Sequence, residues 1–335
     1  MIETATEKPY VVGVDLGGTN VRAAVMERAT ERIAARGENL PSRAQEGADK
    51  TAGQIALAVR TALEHAGVGP KDVLGVGIAV PGHVHASEGV VLWGPNFKDQ
   101  WQDVPIARLV QDALGLPVQI GNDANLAALG EFAFGAGRAV RHLAMVTLGT
   151  GIGGGIIIDG KVLEGADGGA GEIGHMIVNP GGRGGNSAFG SVEGETGRDA
   201  IIERAARKIQ EGFPTSLGER VNFNRFLLTP AMIAEEAQKG DAVALEVFEE
   251  TGYYVGLCVV NLINIFNPEM VVIGGGIAQA GDIILEPIRR TAHACAVPSL
   301  VRSCSIVPAE LGDNAGIFGG IAQVLQGRVG GSQAG

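Results

Sequence analysis

The sequence has few cysteines and no long apolar run. Only three of its 335 residues are cysteine, and none belongs to a CxxC pair or to a Cys/His cluster with the spacing of a metal site. Three thiols cannot pair completely, which favours a reducing cytoplasm. Residues 1–8 have neither a basic nor an apolar targeting segment, and no 18 uncharged apolar residues run together. We therefore expect neither export nor membrane insertion.

Basic residues are outnumbered by acidic ones. The 26 Lys and Arg residues against 37 Asp and Glu residues give a formal net charge of −11. Such a chain lacks the positive field that attracts nucleic acid or anionic lipid, so a small molecule is the expected partner. With 45% apolar and 19% charged residues, the composition excludes disorder and a coiled coil. The length predicts two domains.

Glycine is the residue in excess, with 53 of 335 positions. Its clusters follow apolar runs that are typical of strands. The run 10–16, the turn 17–20 and the run 21–26 together predict a hairpin. A second hairpin of the same layout is predicted over 143–158, with its turn at 149–151. The repeat divides the chain near residues 125–137.

Strand and helix patterns alternate along the chain. Helical period covers about 44–66, and a buried strand follows at 73–80. This alternation predicts a partly parallel sheet. Later, apolar residues at steps of three and four from Leu245 to Phe266 predict a long helix, which Asn267-Pro268 should end.

The two glycine turns have the chemistry of phosphate-binding loops. Glycine lacks Cβ, so backbone N–H groups at Gly17 and Gly18 can approach phosphate oxygens closely, and Thr19 adds a hydroxyl. Asp15, at the strand end, can order Mg²⁺ through its waters. Either turn alone could be an ordinary tight hairpin turn, but two of them favour a nucleotide's phosphates. The segment 274–276 is a third close-approach surface, suited to an adenine ring or simply to a strand-helix turn.

Asp123 follows a predicted strand and precedes a predicted helix. It could cap that helix, or it could act as a general base for an acceptor hydroxyl. Asn122 beside it could hold the same substrate through hydrogen bonds.

Glu172 and His175 place a carboxylate and an imidazole three residues apart, without the second histidine of a zinc protease motif. Sugar hydroxyls, which both donate and accept, suit this pair, although a histidine bonded within its own turn is the alternative. Glu193 and Asn96 are weaker candidates, since the first could be solvated and the second could form a turn.

The ordered set of these motifs resembles the ROK family of sugar kinases over about residues 10–325. The motifs are Asp15-Leu16-Gly17-Gly18-Thr19-Asn20, Val80-Pro81-Gly82, Pro95-Asn96, Gly121-Asn122-Asp123-Ala124-Asn125, Gly149-Thr150-Gly151-Ile152-Gly153-Gly154-Gly155, Glu172-Ile173-Gly174-His175 and Gly274-Gly275-Gly276. The resemblance implies a two-lobed α/β fold of the actin/hexokinase-like (ribonuclease H-like) type with a cleft between the lobes. It implies a small lobe of residues 1–124, completed by a C-terminal helix at 313–330, and a large lobe of residues 125–312.

The resemblance also implies ATP, Mg²⁺ and transfer of the γ-phosphoryl group to the 6-hydroxyl of a hexose. Asp123 resembles the catalytic base. The residues that resemble sugar ligands are Gly82, Asn96, Asn122, Asp123, Glu172, His175 and Glu193. Those that resemble nucleotide ligands are Asp15, Gly17, Gly18, Thr19 and Asn20 in the first turn, Thr150 and Gly151 in the second, and Gly275 and Gly276 beside the adenosine.

One segment departs from the family pattern. Members usually follow the histidine with a CxCGxxGCxE segment that binds a structural zinc, whereas residues 181–193 contain no cysteine. Serine hydroxyls are poor substitutes for thiolates on Zn²⁺, so zinc is not expected. We expect turn glycines and hydrogen bonds to hold this loop, and His175 to act on the sugar alone.

The resemblance leaves several functions open. Glucose is the expected acceptor, with N-acetylglucosamine, N-acetylmannosamine, fructose and allose as alternatives. The family also includes sugar-responsive repressors with an N-terminal helix-turn-helix, but only about nine residues precede the first predicted strand. A catalytically inactive sugar-binding protein should lack the base or the phosphate turns, and both are present. We expect a cytoplasmic kinase of glycolysis that forms a homo-oligomer, either a dimer or a tetramer.

Overall fold

The computed structural model describes residues 8–94, 97, 99, 101–182 and 188–330, with only the backbone for the last three. The chain forms two compact units. Unit 1 draws its described residues from 8–138, 161–170 and 313–330, and unit 2 from 139–160, 171–182 and 188–312. The helix that begins at Asp123 therefore belongs to unit 1. The lobe boundary between residues 124 and 125 stays a prediction, and so does the cleft between the lobes.

Strands and helices alternate along both units. The strands are β1 (Tyr10–Leu16), β2 (Asn20–Glu27), β3 (Arg32–Arg36), β4 (Leu40–Pro41), β5 (Val73–Val80), β6 (His83–His85), β7 (Val90–Trp93), β8 (Gln102–Val104), β9 (Val118–Asn122), β10 (Leu143–Leu148), β11 (Ile152–Ile158), β12 (Lys161–Val162), β13 (Met270–Gly274) and β14 (Ser305–Pro308). The α-helices are α1 (Ala48–Ala66), α2 (Ile106–Leu114), α3 (Asp123–Phe134), α4 (Val192–Thr196), α5 (Arg198–Gln210), α6 (Ser216–Arg220), α7 (Pro230–Gln238), α8 (Ala242–Phe266), α9 (Asp282–Cys295), α10 (Pro298–Val301) and α11 (Ala315–Gly330).

The main sheet of unit 1 has the strand order β3-β2-β1-β5-β9, with β4 paired to β2. The hairpin of β1 and β2 is antiparallel, whereas β5 runs parallel to both β1 and β9. The predicted hairpin and partly parallel sheet are thus confirmed. Every residue of β5 is buried, as expected for a central strand that is covered on both faces. Strands β6, β7 and β8 form a separate small sheet.

Helices pack on the two faces of this sheet. Val12 and Val14 belong to the same apolar cluster as Ile55 of α1. Because successive side chains of a strand point to opposite faces, Gly13 faces the other way. A Cβ at Gly13 would lie 2.1 Å from the carbonyl oxygen of Ile317, so α11 covers that second face.

Glycine lets α11 approach the sheet closely. A Cβ built on Gly77 of β5 would lie 1.9 Å from the carbonyl oxygen of Gly320, and one on Gly320 would lie 2.4 Å from that of Gly77. Real Cβ atoms do not come this close to backbone. The C-terminal helix therefore docks on β5 only because neither position carries a side chain.

The sheet of unit 2 repeats this arrangement. Strands β10 and β11 form an antiparallel hairpin, β13 is parallel to β10, and β14 is parallel to β13. The second predicted hairpin is therefore also confirmed. In each unit a glycine turn connects the two strands of the hairpin, and a parallel strand pairs with the first of them.

The long helix α8 packs against α9 and lies largely buried. It ends where the sequence predicts, because Asn267 adopts the left-handed conformation with φ 46° and Pro268 follows. The predicted apolar stripe is wrong at Leu245, which is 41% exposed in the first turn of the helix.

Among the described residues, no helix has both the length and the apolar composition required to cross a bilayer.

We predict that Gly77→Ala destabilises the protein by about 3 kcal/mol or more, because the new methyl group would force α11 away from the sheet. Gly53→Ala is the matched control: Gly53 lies exposed inside α1, where a Cβ would meet nothing within 4 Å. This second change should stabilise the protein by about 0.5–1 kcal/mol, since alanine favours helix. Urea unfolding of the three proteins measures both effects. Equal stabilities of Gly77→Ala and the parent would contradict the packing described.

Candidate active site

The first glycine turn lies at the end of β1 and closes on itself. Gly17 N–H donates to the carbonyl oxygen of Asn20 at 2.8 Å, and residues 18–20 are exposed. A Cβ on Gly18 would meet no described atom within 4 Å, and one on Gly17 only the oxygen of Asn20 at 3.4 Å. Neither glycine has a positive φ. The fold therefore does not require glycine at these two positions, and the space beside them suits an approaching ligand.

Asp15 makes an ion pair that the sequence analysis missed. Its Oδ2 accepts a hydrogen bond from the guanidinium of Arg22 at 2.5 Å, and Arg22 also donates to the carbonyl oxygen of Asp313 at 2.9 Å. Arg22 faces Asp15 across the hairpin in the β1–β2 register. The sequence could have predicted this ion pair, because strand pairing continued outward from the turn places Arg22 opposite Asp15. The other carboxylate oxygen, Oδ1, lies near Gly316 at the start of α11 and makes no hydrogen bond among the described residues.

Asn122, not Asp123, caps helix α3. The Asn122 Oδ1 accepts from the N–H of Asn125 at 3.0 Å, and its Nδ2 donates to the carbonyl oxygen of Gly82 at 2.9 Å. Capping by Asp123, one of the two predicted roles, is therefore wrong. Asp123 is the first residue of the helix, half-buried, with Oδ1 accepting from the N–H of Ala124 at 2.8 Å.

Gly82 has its own structural reason to be glycine. Its φ is +112°, and a Cβ there would lie 2.4 Å from the carbonyl oxygen of Trp93. The hydrogen bond from the Asn122 side chain to Gly82 thus places Gly82 beside Asn122 and the next residue, Asp123. Asn96, predicted as a sugar ligand, lies outside the described residues.

These groups share one edge of the unit 1 sheet. Asp15 pairs with Ala79 in the parallel register, and Val80 pairs with Asn122. The carboxyl ends of β1, β5 and β9 therefore meet at this edge, where open α/β sheets bind ligands.

The second glycine turn, in unit 2, follows β10. Gly149 N–H donates to the carbonyl oxygen of Gly151 at 3.0 Å, and the N–H of Arg198 donates to that of Gly149 at 3.2 Å. Thr150 is exposed, and a Cβ on Gly149 would meet only the Gly151 oxygen, at 3.7 Å. This turn is as open as the first.

Glu193 lies directly behind the second turn. Its Oε2 accepts a hydrogen bond from the N–H of Ile152 at 3.0 Å, and a Cβ on Gly151 would lie 2.3 Å from the same oxygen. A side chain at position 151 would therefore displace this carboxylate. The sequence predicted Glu193 as a sugar ligand and carried no signal for a bond to a residue 41 positions away.

Gly275 and Gly276 differ in what surrounds them. Gly275 has φ +87°, and a Cβ there would lie 2.3 Å from the carbonyl oxygen of Leu148, so it holds β13 against the end of β10. A Cβ on Gly276 would meet nothing within 4 Å among the described residues. Of the pair, only Gly276 leaves space for a ligand.

Glu172 and His175 project from a short 3₁₀ turn. The His175 Nε2 lies 3.8 Å from the Glu172 Oε2, and the two side chains are 59% and 60% exposed. Between them Ile173 and Gly174 are buried, and a Cβ on Gly174 would lie 2.2 Å from the carbonyl oxygen of Ile152. The buried pair anchors the turn on β11 and leaves the carboxylate and the imidazole accessible.

A buried polar cluster joins residues on either side of the segment 181–193. Glu195 on α4 accepts from Arg204 of α5 at 3.1 Å and from the amide of Asn179 at 3.2 Å. The same amide donates to the hydroxyl of Tyr254 at 3.0 Å. Burial, with the nearby carboxylates of Glu195 and Glu250, raises the pKa of Tyr254 above its ordinary value, so the hydroxyl stays protonated.

The charged side chains of this cluster form ion pairs with one another. Arg204 and Glu195 are each 2% exposed, and Arg204 also forms an ion pair with Glu250 at 2.7 Å. Removing one partner of such a buried pair costs about 3–5 kcal/mol. The cluster thus fixes α4, the short helix that carries Glu193.

Residues 183–187 of the loop lie outside the described chain. Among the residues described, no group of three or more His, Cys, Asp or Glu side chains could hold a metal ion.

Comparison with known proteins places these features in a family. The ROK family matches residues 11–326. The chain is 36% identical over 314 residues to a glucokinase from Halalkalibacterium halodurans, with 93% of each protein covered. It is 33% identical over 318 residues to a xylose repressor from Caldicellulosiruptor bescii, with 94% of this chain and 78% of the repressor covered.

A solved structure agrees with these matches. The ROK family glucokinase from Streptomyces griseus, in complex with glucose and AMPPNP, is 31% identical with a TM-score of 0.79, and the alignment covers 95% of this chain and 99% of that one. The predicted actin/hexokinase-like α/β fold is thereby confirmed. Since the family match extends over nearly all of the sequence, this chain belongs to the ROK family.

Proposed function

We propose that the protein is an ATP-dependent hexose kinase that phosphorylates the 6-hydroxyl of its sugar, with glucose as the preferred acceptor. The observation that carries this proposal is the placement of Asp123. Its carboxylate is not the cap of α3 and lies at the sheet edge that also bears Gly82 and the first glycine turn. The glucokinase relatives support the same reaction, and one of them was solved with glucose and a nucleotide analogue.

Asp123 is proposed as the general base. The 6-hydroxyl gives its proton to the Asp123 carboxylate while its oxygen attacks the γ-phosphorus, and the bond from that phosphorus to the β–γ bridging oxygen breaks as ADP leaves. The N–H of Ala124 holds one carboxylate oxygen and so fixes the orientation of the base. Positioning and charge neutralisation supply most of the rate in such transfers.

The sugar is proposed to bind through groups that pair with hydroxyls. Glu172 and His175 are accessible and together both donate and accept. Both polar groups of the Asn122 side chain already bond to backbone, but an amide keeps one further hydrogen and one further lone pair. The proposal for Asn96 and Glu193 rests on the family resemblance.

The nucleotide phosphates are proposed to contact both glycine turns. The residues there fit phosphate because Gly17, Gly18 and Gly149 leave space that a Cβ would fill. Mg²⁺, when bound with ATP, would neutralise phosphate charge, and the unbonded Oδ1 of Asp15 would hold it through water while Arg22 holds Oδ2. Thr19, Asn20 and Thr150 are exposed beside the turns and can add hydrogen bonds. Gly276 leaves space for the adenosine.

A sugar-responsive regulator is the second candidate, because a xylose repressor is among the relatives. A regulator should bind sugar without consuming ATP. N-acetylglucosamine, N-acetylmannosamine, fructose and allose are the alternative acceptors for a kinase.

We also propose that the protein is cytoplasmic, acts in glycolysis, forms a homo-oligomer and holds no zinc. Burial raises the pKa of Cys258 to about 12 and that of Cys304 to about 11, so both thiols stay protonated.

A coupled ADP-release assay over glucose and the four alternative acceptors tests the reaction. We predict the largest kcat/KM with glucose. Asp123→Asn should lower kcat by about 10²–10⁴-fold and leave the hexose dissociation constant within about threefold, because the amide keeps the shape of the carboxylate but cannot take a proton.

Asp112→Asn is the control, since Asp112 is an exposed residue of α2 that pairs only with Arg108 among described residues. Sugar binding without ADP release from the parent protein would favour the regulator. Full turnover by Asp123→Asn would remove Asp123 from the role of base.

Gly18→Ala tests the first turn separately from the fold. We predict an unchanged melting temperature, because the new methyl group meets no described atom, and a KM for ATP raised at least about tenfold, because it occupies the proposed phosphate space. Gly53→Ala, equally open but on α1, should leave the KM for ATP unchanged. If Gly18→Ala has the parent's KM, this turn does not contact the nucleotide.

A further inference from the structure

The second glycine turn, residues 149–151, is held from behind by one short segment of unit 2. The N–H of Ile152, directly after the turn, donates to the Glu193 Oε2 at 3.0 Å. The N–H of Arg198 donates to the carbonyl oxygen of Gly149 at 3.2 Å. The segment from Glu193 to Arg198 therefore bonds to both ends of the turn, once through a carboxylate and once through its backbone.

Buried groups fix this segment in turn. Ser191, which is fully buried, caps α4 by accepting a backbone N–H at 3.1 Å. Glu195 on the same helix is one of the buried charges that pair with Arg204. A Cβ on Gly197 would lie 3.2 Å from the carbonyl oxygen of Thr150, so the segment is in close contact with the turn. A fixed segment in contact with the turn can determine its shape.

The first glycine turn is anchored by different chemistry. The hydroxyl of Ser42 donates to the carbonyl oxygen of Gly18 at 3.0 Å, and the N–H of Ser42 donates to that of Thr19 at 2.8 Å. A Cβ on Gly18 would meet no described atom within 4 Å, whereas one on Gly151 would lie 2.3 Å from the carboxylate of Glu193. These bonds anchor the first turn through a neutral serine and the second through a charged group.

We propose that Glu193 is a positioning residue for the second glycine turn, in addition to the sugar contact that the family resemblance implies. Its carboxylate accepts from Ile152 and so fixes the peptide unit between residues 151 and 152, which orients the turn that receives phosphate. A charged acceptor makes a stronger hydrogen bond than a neutral one and holds this peptide unit more firmly. The inference rests on the proposed function, in which the turn contacts the nucleotide.

The charge of Glu193 opposes the phosphate that the turn is proposed to receive. Water and Mg²⁺ weaken the repulsion between the two anions, whereas the bond to Ile152 is a direct contact. We therefore expect the geometry that the bond supplies to outweigh the repulsion. Glutamine keeps an oxygen that can accept from Ile152 and removes the charge, so Glu193→Gln separates the two effects.

Titration with AMPPNP and Mg²⁺, without sugar, tests the positioning role and leaves any sugar contact of Glu193 out of the measurement. Glu193→Ala should raise the dissociation constant at least about fivefold, the equivalent of one lost hydrogen bond. Glu193→Gln should not raise it by more than about twofold, because an acceptor remains. Glu211→Ala is the control and should leave it unchanged, since Glu211 is exposed directly after α5 and its side chain makes no hydrogen bond among the described residues.

Gly151→Ala displaces the same carboxylate by a second route. Gly151 has no positive φ, and the three atoms nearest to a Cβ there all belong to the carboxyl group of Glu193. The methyl group should push that group away from Ile152 and weaken AMPPNP binding about as much as Glu193→Ala does. In the Glu193→Ala background there is no carboxylate to displace, so the added Gly151→Ala should change the dissociation constant less than about twofold.

The amide proton resonance of Ile152 reports the bond directly in the nucleotide-free proteins. It should move upfield in Glu193→Ala and in Gly151→Ala and stay near its parent position in Glu193→Gln. Should Glu193→Ala fail to fold, Gly151→Ala decides alone, because parent affinity in that variant contradicts the proposal.

Three further results would overturn the positioning role: parent affinity in Glu193→Ala, binding by Glu193→Gln as weak as that by Glu193→Ala, or fully additive effects in the double variant. A parent protein that binds no AMPPNP would overturn the proposed function and this inference with it. A parent that binds AMPPNP no more tightly than Glu193→Ala does would overturn this inference alone.

Discussion

Close approach of backbone to backbone at glycine is the constraint on which unit 1 depends. The Gly77 and Gly320 contact lets α11 lie directly on the central strand, and Gly13 does the same on β1. The start of α11 then reaches the end of β1, where Gly316 lies against Asp15 and Asp313 accepts a bond from Arg22. The C-terminal segment thus shapes the sheet edge that carries the candidate site, although it is about 300 residues away in sequence.

The excess of glycine has two separate physical reasons. Gly82 and Gly275 have positive φ and lie against other backbone, so the fold itself requires them. Gly18, Gly149 and Gly276 have neither constraint and border open space. The proposed nucleotide offers a reason for the second group, because missing side chains leave room for a ligand outside the chain.

Local pattern was enough to predict the hairpins, the partly parallel sheet and the end of α8, since each depends on residues close in sequence. It could not decide between Asn122 and Asp123 as the cap of α3, because both are good capping residues and the bond of Asn122 to Gly82 comes from another strand. It also placed Leu245 on the buried face of α8, where the first turn instead buries Val243 and Ala244. The Glu193–Ile152 bond and the Arg204 cluster join segments with no shared pattern, so only the structure reveals them. That cluster shows how α4 is held in a chain without the zinc cysteines.

The central proposal is that the glycine turns bind nucleotide phosphate. Backbone amide NMR of Gly18 and Thr150 during titration with a non-hydrolysable ATP analogue and Mg²⁺ tests it most directly. The account predicts large shifts at both residues with one common dissociation constant. Shifts at neither residue, or at only one of them, would contradict it.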